Sequence, residues 1–91
     1  MDELIVHCDN IIELIDKKYK KQKKYPGAIK DIYEAIQRTK LEAQDNRFSK
    51  NKNFFQSLAR QFVDDTTHFD SPILFELDKV GEIILKLQEN I

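Results

Sequence analysis

The segment SPILFELDKVGEIILKLQEN, residues 71–90, decides the fold class of this chain. Ser71 followed by Pro72 marks the start of a helix, because a serine side chain caps the first turn and proline fits its first position. The apolar residues that follow recur every three or four positions and therefore share one helical face: Ile73, Leu74, Leu77, Val80, Ile84, Leu85 and Leu87. The pattern predicts an amphipathic helix over residues 72–90.

Three residues of this helix depart from the simple pattern. Gly81 lies inside the apolar face, where glycine costs about 1 kcal/mol relative to alanine, so we expect a neighbouring helix to approach closely there. Phe75 lies about 100° from Leu74 around the helix, on the side away from Leu77, so we expect its ring outside the core. Ile83 is also predicted to point away from the core.

Three more segments with helical periodicity precede this one. Residues 50–67 carry a broad, aromatic-rich face with Ser49 as the predicted N-cap, and residues 27–44 and 2–24 each place their isoleucines on one side. Tyr25-Pro26-Gly27 separates the first two segments, because proline cannot continue a helix. Consecutive helices joined by short connections pack side by side. The sequence therefore predicts an all-α fold, an antiparallel up-down four-helix bundle.

The bulk composition agrees with a single helical domain over residues 1–91. Of the 91 residues, 41% are hydrophobic and 34% are charged, with only two glycines and two prolines, a balance that favours long helices with solvated faces. No run approaches the about 18 apolar residues of a membrane span, and no signal-peptide pattern follows Met1. We therefore expect a soluble, cytoplasmic protein with at most a minor membrane-associated fraction.

Residue types that carry catalysis or bind metals are sparse in this sequence. Cys8 is the only cysteine, so no disulfide can form within the chain, and its place in the apolar arc of the first helix predicts a buried thiol. His7 lies off that arc and is predicted to be solvated, which leaves no nucleophile facing a base. The spacings of zinc, di-iron and phosphate-loop sites do not occur. We expect no enzyme activity, no metal and no cofactor.

The most conspicuous local feature is a run of lysines within residues 17–24, at the predicted end of the first helix. It consists of Lys17, Lys18, Lys20, Lys21, Lys23 and Lys24. Residues 1–63 hold 13 basic and 9 acidic side chains, whereas residues 64–91 hold 2 and 7, so the two parts present different charges to a partner. Three interpretations of the run stay open: a solvated helix end whose cations complement the helix dipole, a surface for a membrane or permease, and a nucleic-acid contact.

A second candidate surface is expected where the third and fourth helices meet. His68, Phe69 and Asp70 form the short connection, and Phe75 follows in the first turn of the fourth helix. Exposed aromatic side chains are common anchors in protein interfaces, so these four residues are the predicted partner-binding site. The alternative is that Phe69 closes the end of the core.

A longer pattern links Leu58 and Phe62, the turn His68-Phe69 and the stretch FELDKVGEII at residues 75–84. Upstream, the stretch IKDIYEAI at residues 29–36 and the overall length agree with it. This pattern resembles the immunity proteins for pediocin-like (class IIa) bacteriocins, and within them the enterocin A immunity group. The resemblance covers nearly the whole chain.

The resemblance implies a cytosolic four-helix bundle from a Gram-positive bacterium, which protects its host against a membrane-permeabilising peptide. Such proteins act from inside the cell on the membrane components of the mannose phosphotransferase permease once the bacteriocin has engaged them, and they block the pore. Their C-terminal half carries much of the discrimination between bacteriocins. The leading prediction is therefore bacteriocin immunity, with a peripheral membrane contact and no nucleic-acid partner.

Two other classes of function compete with this prediction. A nucleic-acid-associated or regulatory helical protein would use the lysine run, but the run holds no arginine and belongs to a chain of net charge −1, which weighs against nucleic acid. A small helical enzyme is disfavoured by the missing nucleophile and metal-ligand patterns.

Overall fold

The computed structural model of the protein describes residues 2–45 and 47–89. Within these residues the chain forms four α-helices, α1 (Asp2–Lys18), α2 (Ala28–Asp45), α3 (Lys52–Thr66) and α4 (Pro72–Glu89). One turn of 3₁₀-helix, Gln22–Lys24, lies between α1 and α2, and the described residues contain no strand. The helices pack in an elongated bundle of 37 × 20 × 19 Å, which confirms the predicted all-α, antiparallel four-helix bundle. The predicted end of the fourth helix, residue 90, lies outside the described residues.

α1 ends at Lys18, whereas the periodicity predicted a helix to residue 24. The N–H of Tyr19 still donates to the carbonyl of Ile15 at 2.8 Å, but the N–H groups of Gln22 and Lys23 both return to the carbonyl of Tyr19, at 3.0 and 3.2 Å. A continuous helix would stack like charges three and four residues apart along the lysine run, which destabilises a helix. The chain therefore leaves the helix where the run becomes dense.

α3 begins at a different cap from the predicted one. The side chain of Asn51 accepts a backbone N–H from the first turn of α3 at 3.2 Å, so the residue directly before the helix is its N-cap. Ser49 instead donates its hydroxyl to Glu42 at 2.6 Å and ties the connection to the end of α2. At α4 the predicted cap is confirmed, since Oγ of Ser71 accepts the N–H of Ile73 at 3.2 Å.

The core runs along the bundle axis and is filled by the apolar faces of the four helices just described. Its buried side chains are Leu4, Cys8, Ile11, Ile15 and Tyr19; Ile29, Ile32, Ile36 and Ala43; Phe55, Leu58 and Phe62; and Ile73, Leu77, Val80 and Ile84. The prediction for Ile83 was wrong, because its side chain packs partly buried against this core. α4 is covered by both α1 and α3, so the face it buries is broader than the single arc drawn from the sequence.

Gly81 lies where α4 comes close to α3. A Cβ atom added at Gly81 would lie 3.4 Å from Cγ of Lys52 and 3.6 Å from Cβ of Phe55. One methyl group fits at such contact distances, but a longer side chain would enter space that α3 occupies. α3 does approach Gly81, but at ordinary van der Waals distance, so the approach leaves room for an alanine methyl group and does not require glycine.

Candidate functional site at the basic end of the bundle

Both predicted surfaces lie at the same end of the bundle. Because the helices alternate in direction, α1 and α3 end where α2 and α4 begin, which brings the two connections together. Two hydrogen bonds join them: the N–H of Ala28 donates to Oδ2 of Asp65 at 2.8 Å, and the hydroxyl of Tyr19 lies 2.6 Å from Nδ1 of His68. We call residues 17–27 together with residues 65–75 the basic end.

Tyr19 belongs to the core and to the basic end at once. It is only 7% exposed, and its ring meets the ring of Phe62 edge-on with the centroids 5.9 Å apart. Burial raises the pKa of the Tyr19 hydroxyl, and a hydrogen bond with Ser71 acts in the opposite direction. The hydroxyl is therefore protonated near neutral pH and can donate to Nδ1 of His68, which fixes the turn before α4 to the end of α1.

The four residues predicted to bind a partner divide into two kinds. All four are exposed. The His68 ring is also held by a hydrogen bond with Tyr19, whereas the side chains of Phe69, Asp70 and Phe75 make no such bond with the described side chains of α1. The rings of Phe69 and Phe75 are 74% and 62% exposed. Phe69 therefore does not close the core, and Phe75 lies outside the core as its helical position predicted.

The lysine run is not uniformly solvated. Lys17 pairs with Glu13 at 2.8 Å and Lys23 pairs with Asp16 at 2.6 Å, and the Lys23 ammonium lies 4.8 Å from the centroid of the Tyr33 ring. Among the described side chains, those of residues 3–45 and 47–89, no carboxylate lies within ion-pair distance of the remaining four: Lys18, Lys20, Lys21 and Lys24. Only the first two lysines of the run lie in α1, so complementing the helix dipole applies to those two alone.

A polar contact between α1 and α4 was not predicted from the sequence. His7 was predicted to be solvated, but its side chain is 18% exposed and its Nδ1 lies 2.5 Å from Oε2 of Glu76. Asn10 donates to Oε1 of the same carboxylate at 3.4 Å. His7 and Asn10 are three residues apart and line the flank of α1 that faces α4. Polar residues with this spacing beside an apolar arc are the signal that could have revealed the contact.

The thiol of Cys8 is fully buried in the core. Burial, with a further contribution from the negative charge of Asp9, raises the pKa of this thiol to about 12, against a smaller lowering effect of Lys40. A thiol with that pKa is protonated near neutral pH and is a poor nucleophile.

Across the described residues, no three His, Cys, Asp or Glu side chains converge as a metal site would require. What the basic end presents is exposed rings and ammonium groups on a fixed backbone, an arrangement suited to surface contacts.

None of the helices formed by the described residues combines the length and the apolar character needed to traverse a lipid bilayer. Comparison of the chain with protein-family models, curated proteins and solved structures finds no match. The geometry of the basic end is therefore the starting point for assigning a function.

Proposed function

We propose that this protein confers immunity against a pore-forming, pediocin-like bacteriocin. It works in the cytoplasm, binds the membrane components of the mannose phosphotransferase permease when they hold the bacteriocin, and blocks the pore from inside. It acts by binding and needs no catalysis, cofactor or metal. Support comes from the resemblance at residues 29–36, 58–69 and 75–84 to immunity proteins, and from the four-helix bundle, which is the fold that this resemblance implies.

The observation that carries the proposal is a pair of exposed phenylalanines around the start of α4. Phe69 and Phe75 each expose more than half of their surface, although buried core residues are near both of them in the sequence. Exposed aromatic rings are favoured anchors in protein interfaces because each buries a large apolar area when a partner covers it. Both rings lie in the half of the chain in which the resemblance places discrimination between bacteriocins.

The turn that carries Phe69 is held in place, which suits recognition. Tyr19 holds His68 on one side of Phe69, and the Ser71 side chain caps α4 on the other. Thr67 ends α3 in the left-handed conformation, with φ of 59°. A turn that is already ordered loses little conformational entropy on binding, so more of the contact energy contributes to affinity.

Expression inside a bacteriocin-sensitive strain tests the proposed class of mechanism. We expect the inhibitory concentration of one or a few pediocin-like peptides to rise. Purified protein added outside the cells should have no effect, because the proposed target surface faces the cytoplasm. Protection by external protein, or no protection against any peptide of a broad panel, would contradict the proposal.

Single alanine variants test whether the exposed pair makes the contact. Phe69→Ala and Phe75→Ala should retain most of their stability and lose protection, since truncating an interface anchor costs about 2 kcal/mol or more of binding. Leu41→Ala is the matched control, because Leu41 is 64% exposed and lies on α2 away from the basic end. An equal loss of protection in the Leu41 variant would show that the exposed pair is not the recognition site.

A further inference from the structure

Exposed aromatic rings occur at the basic end together with lysines that have no acidic partner among the described side chains. The lysines are Lys18, Lys20, Lys21 and Lys24, all of them exposed. Tyr25 and Phe69 are 68% and 74% exposed, more than the other large apolar side chains among the described residues. The cationic groups and the apolar rings therefore face water from the same part of the molecule.

The two exposed rings belong to connections that contact each other. Tyr25 lines a cleft together with Thr66 at the end of α3. Lys18 lines a second cleft together with His68, which precedes Phe69 in the chain. Because hydrogen bonds fix these connections to one another, the segments that carry the rings and the ammonium groups are held together at one end of the bundle.

We propose that the basic end docks on the surface of an anionic phospholipid membrane. Lysine ammonium groups gain free energy near anionic headgroups, and aromatic rings favour the layer between the headgroups and the acyl chains. Lysine is a compact point charge without the planar geometry with which arginine recognises a single phosphate, so the run suits a diffuse negative surface. A nucleic-acid duplex keeps its bases stacked inside and offers no comparable apolar layer to Tyr25 and Phe69.

Two exposed acidic residues of the basic end, Asp65 and Asp70, oppose this docking. Asp70 is exposed and follows Phe69 directly, so its carboxylate would lie near the anionic headgroups. Asp65 is exposed and charged as well, but its carboxylate accepts the N–H of Ala28, so replacing it would also disturb the contact between the two connections. Neutralising Asp70 should therefore strengthen membrane binding, and this gain cannot arise from a folding defect.

This inference goes beyond bacteriocin immunity and does not depend on it. Docking rests on charge and exposure, and it can be measured with purified protein and lipid vesicles in the absence of any bacteriocin or permease. Vesicle binding without protection of cells would contradict the immunity function alone. Protection of cells without vesicle binding would contradict the docking alone.

The experiment uses vesicles of phosphatidylglycerol and phosphatidylcholine in equal parts. The chain contains no tryptophan, so Phe69→Trp introduces a single reporter ring at the proposed contact. We expect the protein to sediment with these vesicles at low salt and the tryptophan emission to shift to shorter wavelength. Binding should weaken as salt is raised, because the Debye length shortens, and pure phosphatidylcholine vesicles should bind far less.

Two fourfold variants with the same change in net charge localise the contact. Replacing Lys18, Lys20, Lys21 and Lys24 by glutamine should lower the partition coefficient more than about tenfold, since each lysine near an anionic surface contributes up to about fivefold. The control replaces four exposed basic residues elsewhere by glutamine: Arg38, Arg47, Arg60 and Lys86. It should change the coefficient less than about threefold. Tyr25→Ala should also weaken binding, and this loss should persist at higher salt.

Several outcomes would overturn the proposal. Equal losses in the two fourfold variants would mean that net charge, and not the basic end, governs binding. Failure to sediment with the anionic vesicles at low salt, or an unshifted emission of the Phe69→Trp variant in their presence, would each exclude docking by this surface. Tighter binding to a DNA duplex than to the vesicles would assign the lysines to nucleic acid instead. Asp70→Asn should increase the partition coefficient. A decrease would contradict an orientation in which the basic end faces the membrane.

Discussion

Replacement of Phe62 by alanine is the sharpest test of which aromatic side chains form the core. Phe62 is fully buried, with 0% of its surface exposed. Its ring meets Tyr19 edge-on, and the His68 ring lies 6.4 Å away between centroids. Phe62→Ala therefore removes an apolar side chain from the point where the core meets the basic end.

The size of the expected effect follows from this burial. Truncating a fully buried phenylalanine costs about 3–5 kcal/mol, because transfer free energy is lost and a cavity remains. A domain of 91 residues has about 5–14 kcal/mol of stability in total, at about 0.05–0.15 kcal/mol per residue. Phe62→Ala should thus remove a large share of the free energy of unfolding and lower the melting temperature by more than about 10 °C.

Phe75→Ala is the matched control, since it makes the same chemical change at a side chain that is 62% exposed. Complete burial of a phenylalanine contributes about 1.5–3 kcal/mol, so the buried remainder of Phe75 contributes about 1 kcal/mol. The Lys79 ammonium lies 5.1 Å from the ring centroid, and a cation–π contact at an exposed site adds about 0.5–1 kcal/mol. The control should therefore lose clearly less stability than Phe62→Ala.

Urea unfolding followed by far-UV circular dichroism gives both free energies on one scale. The two variants should share the slope of the parent protein, with a much lower midpoint for Phe62→Ala. If Phe75→Ala is destabilised as strongly as Phe62→Ala, then Phe75 belongs to the core and the exposed aromatic pair does not exist. If Phe62→Ala lowers the free energy of unfolding by less than about 1 kcal/mol, complete burial of the Phe62 ring is contradicted, because truncating a fully buried phenylalanine costs about 3–5 kcal/mol.

Three further substitutions or labelling experiments test other parts of the structure. The Cys8 thiol, buried and with its pKa raised to about 12, should react with a disulfide reagent only as the protein unfolds in urea; rapid labelling of the native protein would show that it is accessible. Gly81→Ala should gain up to about 1 kcal/mol in urea unfolding from helix propensity, whereas Gly81→Leu should lose about 1–3 kcal/mol by overpacking against Lys52. Equal stability of these two variants would contradict the close approach of α3. His7→Ala should cost about 1–2 kcal/mol, because it leaves the half-buried Glu76 carboxylate without its nearest partner; Glu76→Gln, which keeps a hydrogen-bonding oxygen, should cost less, and the reverse order would rule out the contact.

The bundle could be predicted from the sequence because apolar periodicity is repeated in each helix. A residue such as Leu77 or Ile32 is buried whatever its exact neighbours are, since any helix with one apolar face must cover that face. The short connections then leave few ways to arrange four such helices. Exposure of Phe75 followed from the same geometry, because its position around α4 is fixed by the neighbours that are buried.

The details that sequence reasoning missed depend on contacts between residues far apart in the chain. Ser49 and Asn51 are both good N-cap residues. Asn51 caps α3 because the Ser49 hydroxyl donates a hydrogen bond to Glu42 at the end of α2. The burial of His7 likewise depends on Glu76, which is distant in sequence and adjacent only after α1 and α4 have packed. Local patterns identify such residues as candidates, but they do not choose among the partners.

The place of Tyr19 within the lysine run explains why core and surface features meet at one end. Tyr19 continues the apolar series of α1, four residues after Ile15, so packing draws it inside, whereas the lysines on both sides of it remain in water. Both requirements are satisfied because the chain leaves the helix at Tyr19 and spreads the following lysines over the end of the bundle. The Tyr19 hydroxyl then reaches His68. A substitution at Tyr19 would therefore alter stability and surface together, whereas Tyr25 and Phe69 can be changed to test the surface alone.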